Sequence, residues 1–296
     1  TPDYIVHCGD IAHTKTQLSP EYFAMASEFL DGMAAIAPLI VILGNHDGNL
    51  KNGDREDAIS PIVRALNNPN ITLLKDSGEY SPEIGLTFNV LSVFDRERWN
   101  KPSLPSSINV ALYHGSISGC FTSTGYSMTH GEDEVSIFDD HDYAMLGDIH
   151  KTQALDRGKK VWYAGSTVQQ NFGESPRKGF LMWEIEDKNN HKVKFVPLTN
   201  PRPFMTVTLN KDGTLPDKHL PRNSRLRIVA RTNIDVSRMR HVTDLARARW
   251  SPHTVTFHNR NEAEETKQNF SNSVRENMRD TKVQEKYIRE YLSSYN

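Results

Sequence analysis

An α/β sandwich is the fold class this sequence predicts, and three observations predict it. Short apolar runs of strand length alternate with helix-length amphipathic stretches. The runs Leu39–Leu43 and Tyr143–Leu146 are almost wholly apolar, as strands covered on both faces must be. Several of these runs stop at a glycine followed at once by polar residues, the mark of a sharp turn at a strand end.

Taken in order, a strand over Asp3–His7 runs into the turn Gly9-Asp10. Ser19-Pro20 supplies an N-cap and a first-turn proline, and Phe23, Met25, Ala26, Phe29, Leu30 and Met33 supply the apolar side of a helix from Pro20 to about Ala35. Leu39–Leu43 then ends at Gly44-Asn45-His46-Asp47. A helix over Asp57–Asn67 precedes strands at Ile71–Leu74, Thr87–Val93, Asn109–Tyr113 and Tyr143–Leu146, and Val161–Tyr163 and Gly179–Glu186 close this unit. Asn200-Pro201-Arg202-Pro203 reads as a linker. It divides a domain of residues 1–200 from a smaller α+β one of residues 201–260, with strands Phe204–Leu209, Arg225–Ala230 and Thr254–His258 and a helix Val236–Arg249. The polar tail, residues 261–296, is expected to be helical only near Val283–Leu292.

Composition narrows the class. With 37% apolar and 24% charged residues over 296 positions, the chain has the make-up of a globular protein with a sizeable core. Lys+Arg 35 against Asp+Glu 37 gives no bulk attraction for nucleic acid, so any grip on DNA needs a local patch. Cys8 and Cys120 offer no disulfide framework, which points to a reducing, cytoplasmic setting. The longest apolar stretch near the start, Ala34–Leu43, is broken by Pro38 and is too short to cross a membrane, and no signal peptide is seen. The chain opens on Thr1 and is at once strand-like, so it reads as lacking its true N-terminus.

The chemistry sits at strand ends. Gly9-Asp10, Gly44-Asn45-His46-Asp47, His114-Gly115 and Gly147-Asp148-Ile149-His150 each follow an apolar strand. The C-terminal ends of strands in an α/β sheet converge on one crevice, so ligands far apart in sequence can meet there. Carboxylate, amide oxygen and imidazole together suit hard or borderline cations such as Mn, Fe or Zn, and a carboxylate such as Asp10 can bridge two of them. Alone, a Gly-Asp is an ordinary turn, and His114 is an ordinary structural histidine. Three polar residues directly after five apolar ones at Leu39–Asp47 are harder to explain by packing, and four such segments in series favour a site.

The series Gly-Asp, Gly-Asn-His-Asp, His and Gly-x-x-His resembles the signature of calcineurin-like metallophosphoesterases. The stretch Tyr163-Ala164-Gly165-Ser166 through Glu174 to Lys178-Gly179-Phe180 is similar to one in SbcD-type nucleases, the nuclease subunits of double-strand-break repair complexes. Gly9-Asp10-Ile11-Ala12-His13 with Ser19-Pro20 fits that branch, and phage-type members give the nearest impression. The resemblance covers residues 3–186 and continues more loosely through Arg202-Pro203-Phe204. It implies a four-layer metallophosphoesterase β-sandwich flanked by helices, with a small DNA-capping domain. The implied activity is an exonuclease or endonuclease of recombination, repair or replication, with two divalent cations, manganese in the first instance and magnesium as the alternative. The implied partners are DNA, an SbcC-type ATPase subunit and a second copy of the chain, in the host cytoplasm if the gene is a phage's.

Residue by residue, the resemblance makes Asp10 the bridge between the metals. Asn45 and His114 bind one metal, and His150 binds the other. His46 is the catalytic histidine that stabilises or protonates the leaving oxygen. Asn45 also helps orient the phosphate, and His13 lies near it. Asp47 would hold His46 in orientation rather than touch a metal. Asp148 stands where the family has a histidine; an aspartate still ligates Mn or Mg and moves preference away from Zn. The family's opening strand, ending Asp-x-His, has no counterpart, so this piece is expected to hold one metal poorly and to be inactive by itself.

Other features are discounted. Asp139-Asp140-His141-Asp142 precedes a strand and would lie at the wrong end. His7 and His130 read as structural or exposed, and the four tryptophans as packing. Arg225, Arg227, Arg231, Arg238, Arg240, Arg247 and Arg249 make the second domain locally basic, which suits either a phosphate-contacting lid or a solvated face. Two further readings stay open: a phosphoesterase for small phosphoesters, and a degenerate, non-catalytic protein that binds DNA or a partner.

Overall fold

The computed structural model describes residues 1–14, 18–53 and 55–259. The described residues form two compact units, one of residues 1–169 and 173–199 and one of residues 170–172 and 200–259. The expected helix near Val283–Leu292 lies outside the described residues.

The first unit begins with β1 (Ile5–Cys8), α1 (Pro20–Ala34), β2 (Leu39–Ile42), α2 (Ser60–Leu66) and β3 (Ile71–Leu74). Its three strands lie in the order β1-β2-β3, all parallel, and the helices make the crossovers. Ser19 caps α1 by accepting from the Tyr22 N–H at 3.2 Å, with Pro20 in the first turn. α2 starts later than Asp57 because that carboxylate accepts from the Ile59 and Ser60 N–H groups at 2.9 and 2.7 Å, holding a turn open before the helix. Asn67, at φ 47°, ends it in the left-handed region.

A second sheet follows: β4 (Gly78–Glu83), β5 (Leu86–Leu91), β6 (Ile108–His114), β7 (Tyr143–Gly147), β8 (Gln153–Ala154) and β9 (Val161–Tyr163). Its order is β4-β5-β6-β7-β9-β8, parallel except for the antiparallel edges β4 and β8. A hairpin of β10 (Lys178–Ile185) and β11 (His191–Leu198) completes the unit. The strands β4 and β11 carry charged residues on exposed positions, so neither shows the apolar run that marks the others.

Period-two alternation sorts the core into layers. Ile40 and Ile42 from β2 meet Phe88, Val90, Val110 and Leu112 from β5 and β6 between the two sheets. The intervening Leu39 and Val41 point the other way, under Leu30, Ile59 and Ile62 of the helical layer. Ala111 and Tyr113, on the far side of the large sheet, pack on Ile117, Cys120 and Phe138. The architecture is therefore the expected four-layer α/β sandwich, with one difference. Among the described residues, helices flank the small sheet, and the large sheet is covered by the irregular segment 115–142 with a short 3₁₀ turn, Val135–Phe138. That segment is studded with Gly115, Gly119, Gly125 and Gly131 and has no helical apolar period.

The second unit holds β12 (Phe204–Thr208), β13 (Arg225–Ala230), α3 (Val236–Trp250) and β14 (Thr254–Asn259). The sheet is β12-β13-β14 and wholly parallel. Leu226, Ile228 and Ala230 from alternate positions of β13 bury against Val242, Ala246 and Trp250, spaced four apart on α3. Asp235 caps that helix by accepting from the Arg238 N–H at 2.8 Å. No helix among the described residues is long and apolar enough to cross a membrane.

His7, on the helix-facing side of β1, packs edge-on to Phe29 with ring centroids 5.8 Å apart, and its Nδ1 is enclosed without a hydrogen-bond partner. Burial, reinforced by His114, lowers its pKa from 6.5 to about 4. The neutral ring therefore contributes stability that is complete above pH 6.5 and is lost as the pH falls from there through about 4. Urea denaturation is expected to show His7→Gln flattening this acid-side loss by roughly 2–3 kcal/mol relative to the wild type; parallel pH profiles for the two proteins would contradict it.

Candidate metal centre

The C-terminal ends of β1, β2, β6 and β7 carry the four loops picked out by the sequence. Gly9, Gly44 and Gly147 let them approach one another closely. A side chain added at Gly9 would come within 2.6 Å of the Gly44 nitrogen and of the His114 ring, and one at Gly147 would strike the Cys8 carbonyl. Every larger residue at these points would push two loops apart.

Asp47, wholly buried, ties two of the loops together. Its Oδ2 accepts from the N–H groups of Asp10 and Gly44, and its Oδ1 from that of Ala12, all at 2.8 Å. The expectation that Asp47 orients His46 is corrected by these contacts. The turn closed by the Asp47 N–H on the Gly44 carbonyl sends His46 outward and Asp47 inward, so the carboxylate serves backbone rather than the ring. The His46 ring is held instead by its Nδ1, which donates to the His13 carbonyl at 2.7 Å. The His13 and His46 rings stack with centroids 6.0 Å apart and planes 5° from parallel.

Asp10, His114 and Asp148 come together as a group whose ligand atoms all lie within 4.8 Å of one another. His114 is buried at the end of β6, and its Nδ1–H donates to the Cys8 carbonyl at 2.7 Å. That places a proton on Nδ1, because a carbonyl can only accept. Nε2, which has no hydrogen-bond partner, faces Asp10 Oδ1, 3.4 Å away, and Asp148 Oδ1, 3.8 Å away. Asn45 Oδ1 is likewise buried without a partner. An unpartnered imidazole nitrogen and amide oxygen beside two carboxylates form a donor set that fits a divalent cation.

The backbone agrees. Asp10 and Asp148 both sit at positive φ, 59° and 86°, a conformation rare for residues other than glycine. Burial would raise the Asp10 carboxyl, but the His114 ring and the His46 N–H, which donates to Asp10 Oδ1 at 3.0 Å, hold it below the usual range. Burial raises Asp148, with the charge of Asp10 adding to it. Burial would lower His114, yet Asp10, the Cys8 carbonyl and Asp148 together raise it. Burial also lifts Asp47 to about 6, against the pull of its three N–H donors and with the Asp10 charge adding to the rise.

His150 stands outside the three-residue group. Its Nδ1 is engaged by Glu174 Oε1 at 2.8 Å, and Glu174 Oε2 pairs with Lys178 Nζ at 3.0 Å. The sequence marks Glu174 and Lys178 only as members of the Tyr163–Phe180 stretch. That stretch buttresses the site: the Tyr163 hydroxyl donates to the Gly115 carbonyl at 2.6 Å and accepts from the Ile117 N–H at 2.9 Å. Gly165, at φ 80°, lies so close to Thr152 that a side chain would collide with it. The discounted Asp139–Asp142 cluster is spent elsewhere. Asp140 pairs with Lys101, and Asp142 accepts from the Asn109 N–H at the opposite, N-terminal strand ends.

Residues 1–152 match the family model of the calcineurin-like phosphoesterases. Over 237 residues the chain is 36% identical to an uncharacterised protein of Acanthamoeba polyphaga mimivirus, covering 76% of this chain and 17% of that protein. It is 27% identical over 199 residues to a protein of Invertebrate iridescent virus 6 described as a candidate phosphoesterase, covering 62% and 65% of the two chains. It is 26% identical over 223 residues to the SbcD subunit of the SbcCD nuclease of Staphylococcus epidermidis, covering 67% and 59%. The chain thus spans less than two thirds of each of these relatives.

Replacing Asp47 by Ala strands three backbone donors, so a loss of about 3 kcal/mol or more is expected in chemical denaturation; a change below about 1 kcal/mol would show that the loops hold without the carboxylate. Asp148→Ala is expected to weaken Mn uptake at least about tenfold in calorimetric titration, and unchanged affinity and stoichiometry would remove Asp148 from the ligand set.

Proposed function

Because the chain belongs to the calcineurin-like phosphoesterase family, a family of metal-dependent phosphoester hydrolases, we propose that it is the catalytic part of a DNA nuclease that hydrolyses phosphodiester bonds. The observation that carries the reading is the Asp10–His114–Asp148 group, with the unsatisfied Nε2 of His114 and Oδ1 of Asn45 beside it. Asp10, His114, Asp148 and Asn45 would hold the cation, and the mixture of carboxylate, imidazole and amide oxygen suits manganese first and magnesium next. Bound there, divalent cations supply Lewis-acid stabilisation of the charge that builds on the phosphoryl oxygens. His150 belongs to a second cation in this reading.

The chain's own residues do the rest. Asp47 and the glycines fix the ligand loops before substrate arrives, so no reorganisation is spent at the reacting centre. His46 is exposed, with Nδ1 occupied by the His13 carbonyl, which leaves Nε2 as the ring atom able to take or give a proton at the leaving oxygen. His13, stacked on it, limits the ring's rotation.

DNA as substrate rests on the similarity to the SbcCD nuclease and on the second unit. In that unit Arg225 and Arg227 lie over the rings of Phe204 and Phe172, a cation–aromatic arrangement suited to phosphate and base contacts. Arg247 and Arg249 are partly neutralised by Asp244 and Asp217, which narrows the basic surface. An SbcC-type ATPase and a second copy of the chain are the partners of this reading.

A specific observation favours a second reading, a phosphoesterase for small phosphoesters. The Tyr163–Phe180 stretch, the sequence feature that singles out the nuclease branch, acts on loop architecture through Tyr163 and Gly165, which any phosphoester hydrolase of this fold could use. With Mn supplied, linear and plasmid DNA should be cut by the full-length protein, and His46→Ala should slow cutting by about 10²–10⁴-fold. Hydrolysis of p-nitrophenyl phosphate with DNA left intact would select the second reading, and activity on neither would leave a binding protein.

A further inference from the structure

We infer that Glu174 is a positioning residue that sets the tautomer and orientation of His150 for a cation, with Lys178 selecting which way the pair is wired. The inference rests on the metal reading above and extends it to residues outside the ligand group.

Three contacts close a triangle around one residue. His150 Nδ1 meets Glu174 Oε1 at 2.8 Å, Glu174 Oε2 meets Lys178 Nζ at 3.0 Å, and that same Nζ donates to the His150 carbonyl at 2.9 Å. Ring and backbone of His150 are therefore gripped by opposite ends of one ion pair. The Glu174 and Lys178 side chains are 3% and 4% exposed, whereas that of His150 is 32% exposed. An ion pair buried this deeply is seldom worth keeping for stability alone, since desolvation cancels most of the attraction. Its distinctive effect here is geometric. A carboxylate accepts only, so Nδ1 carries the proton and the lone pair is left on Nε2, the atom a cation would need.

Lys178 makes the arrangement directional. With an ammonium on its far side, Glu174 satisfies both neighbours as a carboxylate. An amide in its place has one accepting oxygen, and the ammonium claims it. The amide NH₂ is then turned toward His150, Nδ1 must accept, and the proton moves to Nε2, which blocks the metal-facing lone pair.

The test uses metal-free, ¹⁵N-labelled protein and long-range ¹H–¹⁵N correlation spectra, with His150 assigned by loss of its signals in His150→Gln. The wild type is expected to show the Nδ1–H tautomer at His150. The near-isosteric Glu174→Gln should show the Nε2–H tautomer, and adding Lys178→Met should restore Nδ1–H, a reversal that a general loosening of the fold would not produce. Calorimetric titration with Mn alone should show Glu174→Gln binding about 10–100-fold more weakly. An Nε2–H tautomer in the wild type, or the same tautomer and Mn affinity in wild type and Glu174→Gln, would overturn the inference. The wild-type spectrum decides even if a variant does not fold. Asp10→Asn should weaken Mn uptake and leave the His150 tautomer unchanged. A wild type that takes up no Mn would therefore end the metal reading, while the tautomers would still decide the role of Glu174.

Discussion

The carboxylate of Asp47 is the constraint on which the site depends. Two short parallel strands, β1 and β2, end side by side, and each must turn sharply without burying unsatisfied amides. One buried side chain answers both needs by accepting from Asp10 and Ala12 in one loop and Gly44 in the other. Holding a charge there is costly, as its raised pKa records, and only a full set of N–H donors makes it tolerable. With the two loops pinned, Asp10 and Asn45 are brought to the same edge as the end of β6.

The large sheet then contributes through His114. Its ring spans from the Cys8 carbonyl of the small sheet to the two carboxylates, so one residue both joins the sheets and faces the ligand group. The close approach of Gly147 to Cys8 allows that span, and the Tyr163 hydroxyl secures the loop beyond His114. Packing and chemistry are not separable here. The same contacts that close the layered core fix the distances among Asp10, His114 and Asp148.

Electrostatics supplies the reason for a cation. Two partly buried carboxylates share a small volume with a single imidazole whose Nε2 has no hydrogen-bond partner. Asp148 and Asp10 push against each other, and both occupy strained left-handed backbone. A divalent ion would relieve the repulsion and satisfy Nε2 at once, which links local strain to function. His46 and His13 stack on each other at the exposed rim of this group.

The sequence by itself determined the α/β class and most of the strands, and it singled out three residues, Asp10, His114 and Asp148, that fold into one group. Ile71–Leu74, Val161–Tyr163 and Arg225–Ala230 were legible to the residue because buried parallel strands need unbroken or alternating apolar side chains. Asp10, His114 and Asp148 were singled out because four segments in series each put polar residues beside a glycine at the end of an apolar strand. The edge strands β4 and β11 were not, since exposed edges carry charges that hide their period. Nor was the covering of the large sheet by loop rather than helix. Only the tertiary structure decided what Asp47, Glu174 and Tyr163 do. Each acts on a partner far along the chain, through backbone amides, a ring nitrogen or a carbonyl, and hydrogen-bond partners set by folding leave no trace in residue spacing.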